Sequence, residues 1–108
     1  MAGIFEDRER GYEAKWAHDE ETHFKVIVRR NSLLGQWAAG EMGLSGSEAE
    51  DYVQAVVQTG MSGKGADQPL QKIRDDFAAR KIAQSDPVLQ RKIQELLEIA
   101  QREIAGQK

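Results

Sequence analysis

The sequence predicts an all-α protein, a four-helix bundle with a long first helix whose N-terminal part projects as a mobile arm. Helix-forming residues, mainly alanine, glutamate, glutamine, lysine, arginine and leucine, dominate the 108-residue chain. No stretch alternates polar and apolar residues over the length of a strand, whereas apolar residues recur at three- and four-residue spacings. Glycine or proline motifs interrupt this pattern at three places, and the interruptions separate four helices.

The first predicted helix extends from about Glu6 to about Met42. The segment "KVIVRR" (25–30) resembles a strand, but helix formers flank it on both sides, so we interpret it as buried helix. Its basic pair, Arg29 and Arg30, is predicted to be solvated. The "GLSG" motif at 43–46 ends the helix. The predicted core residues of this helix are Phe24, Ile27, Val28, Leu34, Trp37 and Ala38.

The second predicted helix follows Ser47, which is a natural N-cap with acidic residues in the turn after it. The third begins near Pro69, after a capping residue at Asp67 or Gln68. In the fourth, Asp86 is the predicted cap and Pro87 the first helical residue. The residues predicted to face the core are Ala49, Val53, Val56, Val57, Leu70, Ile73, Phe77, Ala78, Ile82, Leu89, Ile93, Leu96, Leu97, Ala100 and Ile104.

Helix lengths divide the chain into two parts. At 1.5 Å per residue, the last three helices would span about 20, 25 and 28 Å, whereas the first would span about 55 Å. The later helices can therefore cover only about half of the first helix. We expect residues 1–22 to form a projecting arm and residues 23–108 to form the bundle.

Composition limits the partners and the chemistry. A net charge of −3 with interspersed signs argues against nucleic acid, and the absence of cysteine excludes disulfides and thiolate chemistry. We see no membrane-spanning run and no secretory signal, so we expect a cytoplasmic protein that does not insert into a membrane and is monomeric when free. His18 and His23 lack the spacing of a zinc pair, and no catalytic set is evident, so we expect neither an enzyme nor a cofactor.

The arm carries a narrow apolar ridge. In "FEDRERGYEAKWAHDEETHFK" (5–25), Phe5, Tyr12 and Trp16 lie within about 40° of one another at 100° per residue, and charged residues surround them. Burying three such rings would release at most about 12 kcal/mol. Gly11 weakens the helix by up to about 1 kcal/mol. We interpret the arm as a marginal helix that folds onto a partner protein; packing on its own bundle and an idle extension remain alternatives.

The segment "FEDRERGYEAKWAHDEETHFKVIVRRNSLLGQWAA" resembles the N-terminal half of the ATP synthase zeta subunit family of α-proteobacteria, small inhibitors of the F1-ATPase. The matching motifs are "DRER", "EAK", "AHDEE", "FK" and "RRN.LLG.WAA". The resemblance is strong over about the first 40 residues, and the rest agrees in length and helix order. It implies a four-helix bundle whose arm inserts at a catalytic α/β interface of F1, reaches the γ stalk and blocks ATP hydrolysis. It also implies peripheral association with the inner membrane through the F1FO-ATP synthase.

On this resemblance, one set of residues matches the inhibitory arm: Phe5, Arg8, Arg10, Tyr12, Lys15 and Trp16. The sequence departs from the family pattern at Gly11, where a small helix former is usual, and at Tyr12 and Trp16, where phenylalanine is usual. Two other classes of function remain open. One is a small module that binds a nucleotide or anion weakly at Lys64 in "GMSGKGADQ" (60–68), and the other is a vestigial, non-inhibitory family member that acts as a helical adaptor.

Overall fold

The computed structural model describes residues 20–61 and 68–106, which form four helices. They are α1 (Glu20–Glu41), α2 (Gly46–Met61), α3 (Gln68–Ala79) and α4 (Asp86–Gly106). Within the described ranges all regular structure is helical, so the predicted all-α bundle is confirmed. The predicted arm lies outside the described residues except for its last three, 20–22.

Helix α1 is the centre of the bundle, because it packs along both α2 and α4. Helix α3 packs on α2 and makes a smaller contact with α4. The larger core cluster takes buried residues from all four helices: Leu34, Ala38, Val56, Leu70, Ile73, Phe77, Leu89 and Leu96. A second cluster joins the start of α1 to the end of α4 through Val26, Ala100 and Ile104.

The close approach of α1 and α2 depends on Gly35. A Cβ atom at Gly35 would lie 3.0 Å from the Cα of Val53 and 3.4 Å from the Cβ of Val56. Contacts this short force a neighbouring atom to move, and here the nearest atom belongs to the backbone. The absence of a side chain at Gly35 therefore sets how closely the two helices pack.

Most predicted core positions are buried or pack against the core, but two predictions are wrong. Phe24 is 52 % exposed and Ala78 is exposed. Phe24 lies about 160° around α1 from Val26, which does face the core, so the same helix cannot bury both. Trp37 is partly buried, and its ring centroid lies 5.7 Å from that of Phe77 at the edge of the core.

The predicted stop after α1 is confirmed by the geometry of its C-terminus. Gly43 has a φ of 73°, which a glycine adopts without strain. The N–H of Leu44 donates to the carbonyl of Ala39 (2.9 Å) and the N–H of Gly43 donates to that of Gly40 (3.1 Å). These two hydrogen bonds form a Schellman motif, which satisfies the last carbonyl groups of the helix.

The same motif ends α3, although the left-handed residue there is Lys81, with a φ of 59°. The N–H of Ile82 donates to the carbonyl of Phe77 (2.9 Å), and the N–H of Lys81 donates to that of Ala78 (3.1 Å). Ile82 then packs against the core, which compensates for the strain of a left-handed lysine. The chain therefore turns from α3 toward α4 without a glycine.

The predicted caps of α2 and α4 are displaced, because α2 begins two residues and α4 begins one residue earlier than predicted. Helix α2 begins at Gly46, so Ser47 lies inside its first turn. Helix α4 begins at Asp86 itself, because the carbonyl of Ser85 accepts from the N–H groups of Val88 and Leu89, both at 3.1 Å. The carboxylate of Asp86 instead accepts a hydrogen bond from Arg74 Nε at 2.9 Å, so a tertiary contact engages the predicted capping group.

Candidate partner-binding site

The residues predicted to bind the partner all lie outside the described residues: Phe5, Arg8, Arg10, Tyr12, Lys15 and Trp16. The described chain begins at Glu20, in the segment that connects these residues to the bundle. We call residues 20–29, the first turns of α1, the arm root. Its geometry shows how the bundle holds the segment where the arm meets the bundle.

The arm root begins with two charged, exposed residues. Glu20 and Glu21, in the first described turn of α1, are both acidic and exposed. Lys25 Nζ lies 3.6 Å from Glu21 Oε1, four residues earlier. Because both side chains are more than half exposed, such a pair supports the helix by only about 0.3–0.5 kcal/mol.

The end of the arm root is fixed to α4. Val26 is buried against Ala100 and Ile104. Beside this contact, Arg29 Nε donates to Glu103 Oε2 at 2.6 Å, which joins residues far apart in sequence. Arg29 was predicted only to be solvated, but it also connects the two helices across the bundle surface.

Arg30, the other half of the basic pair, is buried, so its predicted solvation is wrong. Its Nε and Nη2 atoms donate to Asn31 Oδ1, at 3.0 and 2.8 Å. Asn31 is itself buried, and its amide fills the space beside Gly60 of α2. Arg30 is buried because it lies on the inward side of α1. The hydrogen bonds of its guanidinium offset the cost of removing that charge from water.

A shallow groove of about 360 Å³ runs along the outer face of the arm root. We call it the Phe24 groove, after its most exposed apolar residue. Both α1 and α4 contribute to its lining, which consists of Phe24, Lys25, Val28, Arg29, Ser32 and Ile104. Helical spacing in the sequence places Phe24 in the core, so this surface was not predicted.

A polar contact between α2 and α3 was also not predicted from the sequence. Tyr52 Oη donates to Asp76 Oδ2 at 2.8 Å, and Lys72 Nζ lies 3.1 Å from the same oxygen. Burial raises the pKa of Tyr52 well above its ordinary value near 10, and the hydrogen bond to the Asp76 carboxylate raises this pKa further. Tyr52 lies one helical turn before buried Val56, so the spacing of the two residues in the sequence could have predicted that Tyr52 faces the bundle.

Other features that could indicate a function are a metal site, a membrane span and the predicted nucleotide or anion site at Lys64. Residues 20–61 and 68–106 contain no group of three or more acidic, histidine or cysteine residues placed to hold a metal ion. The described helices include no candidate for a membrane span. Lys64, the candidate for nucleotide or anion binding, lies outside the described residues.

Comparison with known proteins gives one informative result. No curated protein and no solved structure matches the chain. A family model, however, matches residues 1–103, and its description is ATPase inhibitor subunit zeta. The match covers both the predicted arm and almost all of the bundle. The chain therefore belongs to the ATPase inhibitor subunit zeta family.

Proposed function

We propose that this protein is an inhibitory regulatory subunit of the F1FO-ATP synthase. In this proposal the N-terminal arm inserts as a helix at a catalytic α/β interface of F1, next to the γ subunit, and blocks ATP hydrolysis. The observation that carries the proposal is the family match, which begins at residue 1 and therefore includes the arm as well as the bundle. The F1 sector, through its α, β and γ subunits, is the proposed partner.

The proposal divides the chain between an arm, residues 1–22, and a bundle, residues 23–108. The described core supports this division, since its larger cluster is built from α1, α2, α3 and α4 together. Val26 and the Arg29–Glu103 ion pair hold the arm root on α4. Because the root is already fixed, it adds little to the entropic cost of binding.

Binding alone suffices for inhibition. The apolar ridge of Phe5, Tyr12 and Trp16 would supply buried area in the cleft, and Arg8, Arg10 and Lys15 would pair with acidic residues of F1. An inhibitor that binds one rotational state of the enzyme more tightly than the others shifts the population toward that state. The arm therefore needs no catalytic group, metal or cofactor of its own.

An ATPase assay of the cognate F1 tests the proposal. We compare the full-length protein with a variant that lacks residues 1–19, which keeps every described residue in place. The full-length protein should inhibit hydrolysis and the shortened variant should not. A triple variant with Phe5, Tyr12 and Trp16 changed to alanine keeps the length and charge of the arm. It therefore separates the effect of the aromatic ridge from the effect of removing the whole arm. Equal inhibition by the full-length and shortened proteins would exclude the arm mechanism.

A further inference from the structure

The Phe24 groove leaves an aromatic side chain exposed at the point where the arm meets the bundle. Phe24 is 52 % exposed, similar to Met61 at the end of α2, which is 51 % exposed. Scattered exposed apolar residues are common in proteins, and exposure alone indicates no partner. Phe24 is more informative because it borders a groove whose lining also includes Val28 and Ile104.

The position of the groove along α1 relates it to the proposed arm site. Phe24 is eight residues after Trp16, a distance of about 12 Å along a continuous helix. A protein as large as F1 that enclosed Trp16 would extend well beyond 12 Å from it. The groove would therefore lie at the mouth of the cleft that receives the arm.

The orientation of the groove matches a cleft better than a flat surface. On a continuous helix, Phe24 points about 100° away from the centre of the Phe5–Tyr12–Trp16 ridge. A flat partner could not contact both sides of such a helix at once. The walls of a cleft surround the helix and can therefore contact the ridge and the groove together.

Charge at the groove indicates which surface would fit it. Lys25 and Arg29 both line the groove, and Arg29 is held there by Glu103. Among the described residues, Lys25 forms one exposed ion pair, with Glu21 at 3.6 Å, and a partner can replace this pair at low cost. A complementary surface would present an apolar side chain to Phe24 and Val28 and a carboxylate to Lys25.

We infer that the Phe24 groove is a second contact with F1, formed at the mouth of the arm cleft with an apolar side chain flanked by a carboxylate. The inference rests on the proposed function, because it is the inserted arm that brings the groove to F1. Through the groove, the bundle as well as the arm would contribute to the affinity for F1.

The test measures the concentration of full-length protein that half-inhibits the cognate F1-ATPase. Phe24→Ser should raise this concentration about tenfold, since the variant loses the apolar contact. Lys25→Glu should also raise it, and more strongly at low salt, because it places like charges together. Met61→Ser is the matched control, with an equally exposed apolar side chain outside the groove, and should change it less than about twofold. Circular dichroism and thermal unfolding establish that each variant is folded.

The outcomes separate this inference from the proposed function. If removing residues 1–19 abolishes inhibition while Phe24→Ser inhibits as well as the wild type, the groove contact is overturned and the arm mechanism stands. Equal weakening by Phe24→Ser and Met61→Ser would also overturn it, because the effect would then not be specific to the groove. If the protein lacking residues 1–19 still inhibits fully, the proposed function fails, and the inference fails with it.

Discussion

At the scale of single residues, the contact between Asn31 and Gly60 restricts which side chains the bundle accepts. Asn31 of α1 is buried, and Arg30 holds its Oδ1 atom with two hydrogen bonds. A Cβ atom at Gly60 would collide with the Asn31 Nδ2 atom and lie 3.3 Å from its Cγ. The amide cannot move away freely, since it would lose the hydrogen bonds from Arg30.

We therefore expect Gly60→Ala to destabilise the protein. The collision costs about 1–3 kcal/mol, which outweighs the gain of up to about 1 kcal/mol from replacing a helical glycine. Gly40→Ala is the matched control, because Gly40 also lies in a helix and its Cβ would meet nothing within 4 Å. Urea unfolding should show opposite changes in the free energy of unfolding, with Gly40→Ala slightly more stable than the wild type. Two stabilised variants would contradict the proposed collision.

At the scale of helices, α1 serves two purposes along its length. Its later turns supply the core residues Leu34 and Ala38, and its first turns carry exposed residues on an anchored root. The root is therefore stable where Val26 and Arg29 contact α4, and more polar and solvated toward Glu20. In the proposed complex, a helical arm would continue from the described turns of α1, so it would not carry the full cost of nucleation.

Gly11→Ala should strengthen inhibition of the cognate F1-ATPase. Alanine lowers the free energy of the helical arm by up to about 1 kcal/mol, so the half-inhibitory concentration should fall by up to about fivefold. The control is Ala14→Gly, which removes helix propensity from a position about 180° away from the aromatic ridge. It should weaken inhibition by a similar factor. A change in the same direction for both variants would count against a helical arm.

At the scale of the whole molecule, polar contacts join helix pairs at the bundle surface. Arg29 and Glu103 connect α1 with α4, and Tyr52 and Asp76 connect α2 with α3. Arg74 reaches from α3 to the first residue of α4. Exposed ion pairs of this kind contribute little energy, whereas the tyrosine contact is partly buried and depends on protonation.

Global stability should therefore fall at high pH through Tyr52. Its pKa is raised in the folded protein by burial and by the Asp76 carboxylate, so the folded state holds the phenol proton more tightly than the unfolded state. This contribution is fully present below about pH 10, where the unfolded tyrosine is also protonated. Above that pH it is lost, by up to about 1.4 kcal/mol per pH unit.

Urea unfolding of the wild type and Tyr52→Phe between about pH 8 and pH 11 measures this contribution. The variant lacks the titrating phenol, so the difference between the two proteins should shrink as the pH rises past about 10. Both proteins retain Tyr12, so the comparison cancels its effect. A difference that stays constant over the whole pH range would contradict the raised pKa.

The sequence predicted the number and order of helices, most of the core and the stop at Gly43. The stripe from Leu89 to Ile104 shows why, because helical spacing alone reveals which side of an amphipathic helix is buried. The beginnings of the helices were predicted less well. At α4, Asp86 was the predicted cap, but its carboxylate contacts Arg74 of α3 and Ser85 takes the capping position. The arm residues were identified by resemblance, and their contacts remain predictions.

By itself, the sequence determined the all-α class, the four helices and the family, because these depend on local propensity and on motifs that are contiguous in the chain. Only the tertiary structure decided that Arg30 is buried, that Phe24 is exposed and that Arg29 joins α4. The physical reason is that burial depends on which neighbouring helix covers each side of α1, and periodicity does not contain that information. An apolar residue on the uncovered side remains in solvent, and a charged residue on the covered side is buried where hydrogen bonds can compensate for its desolvation.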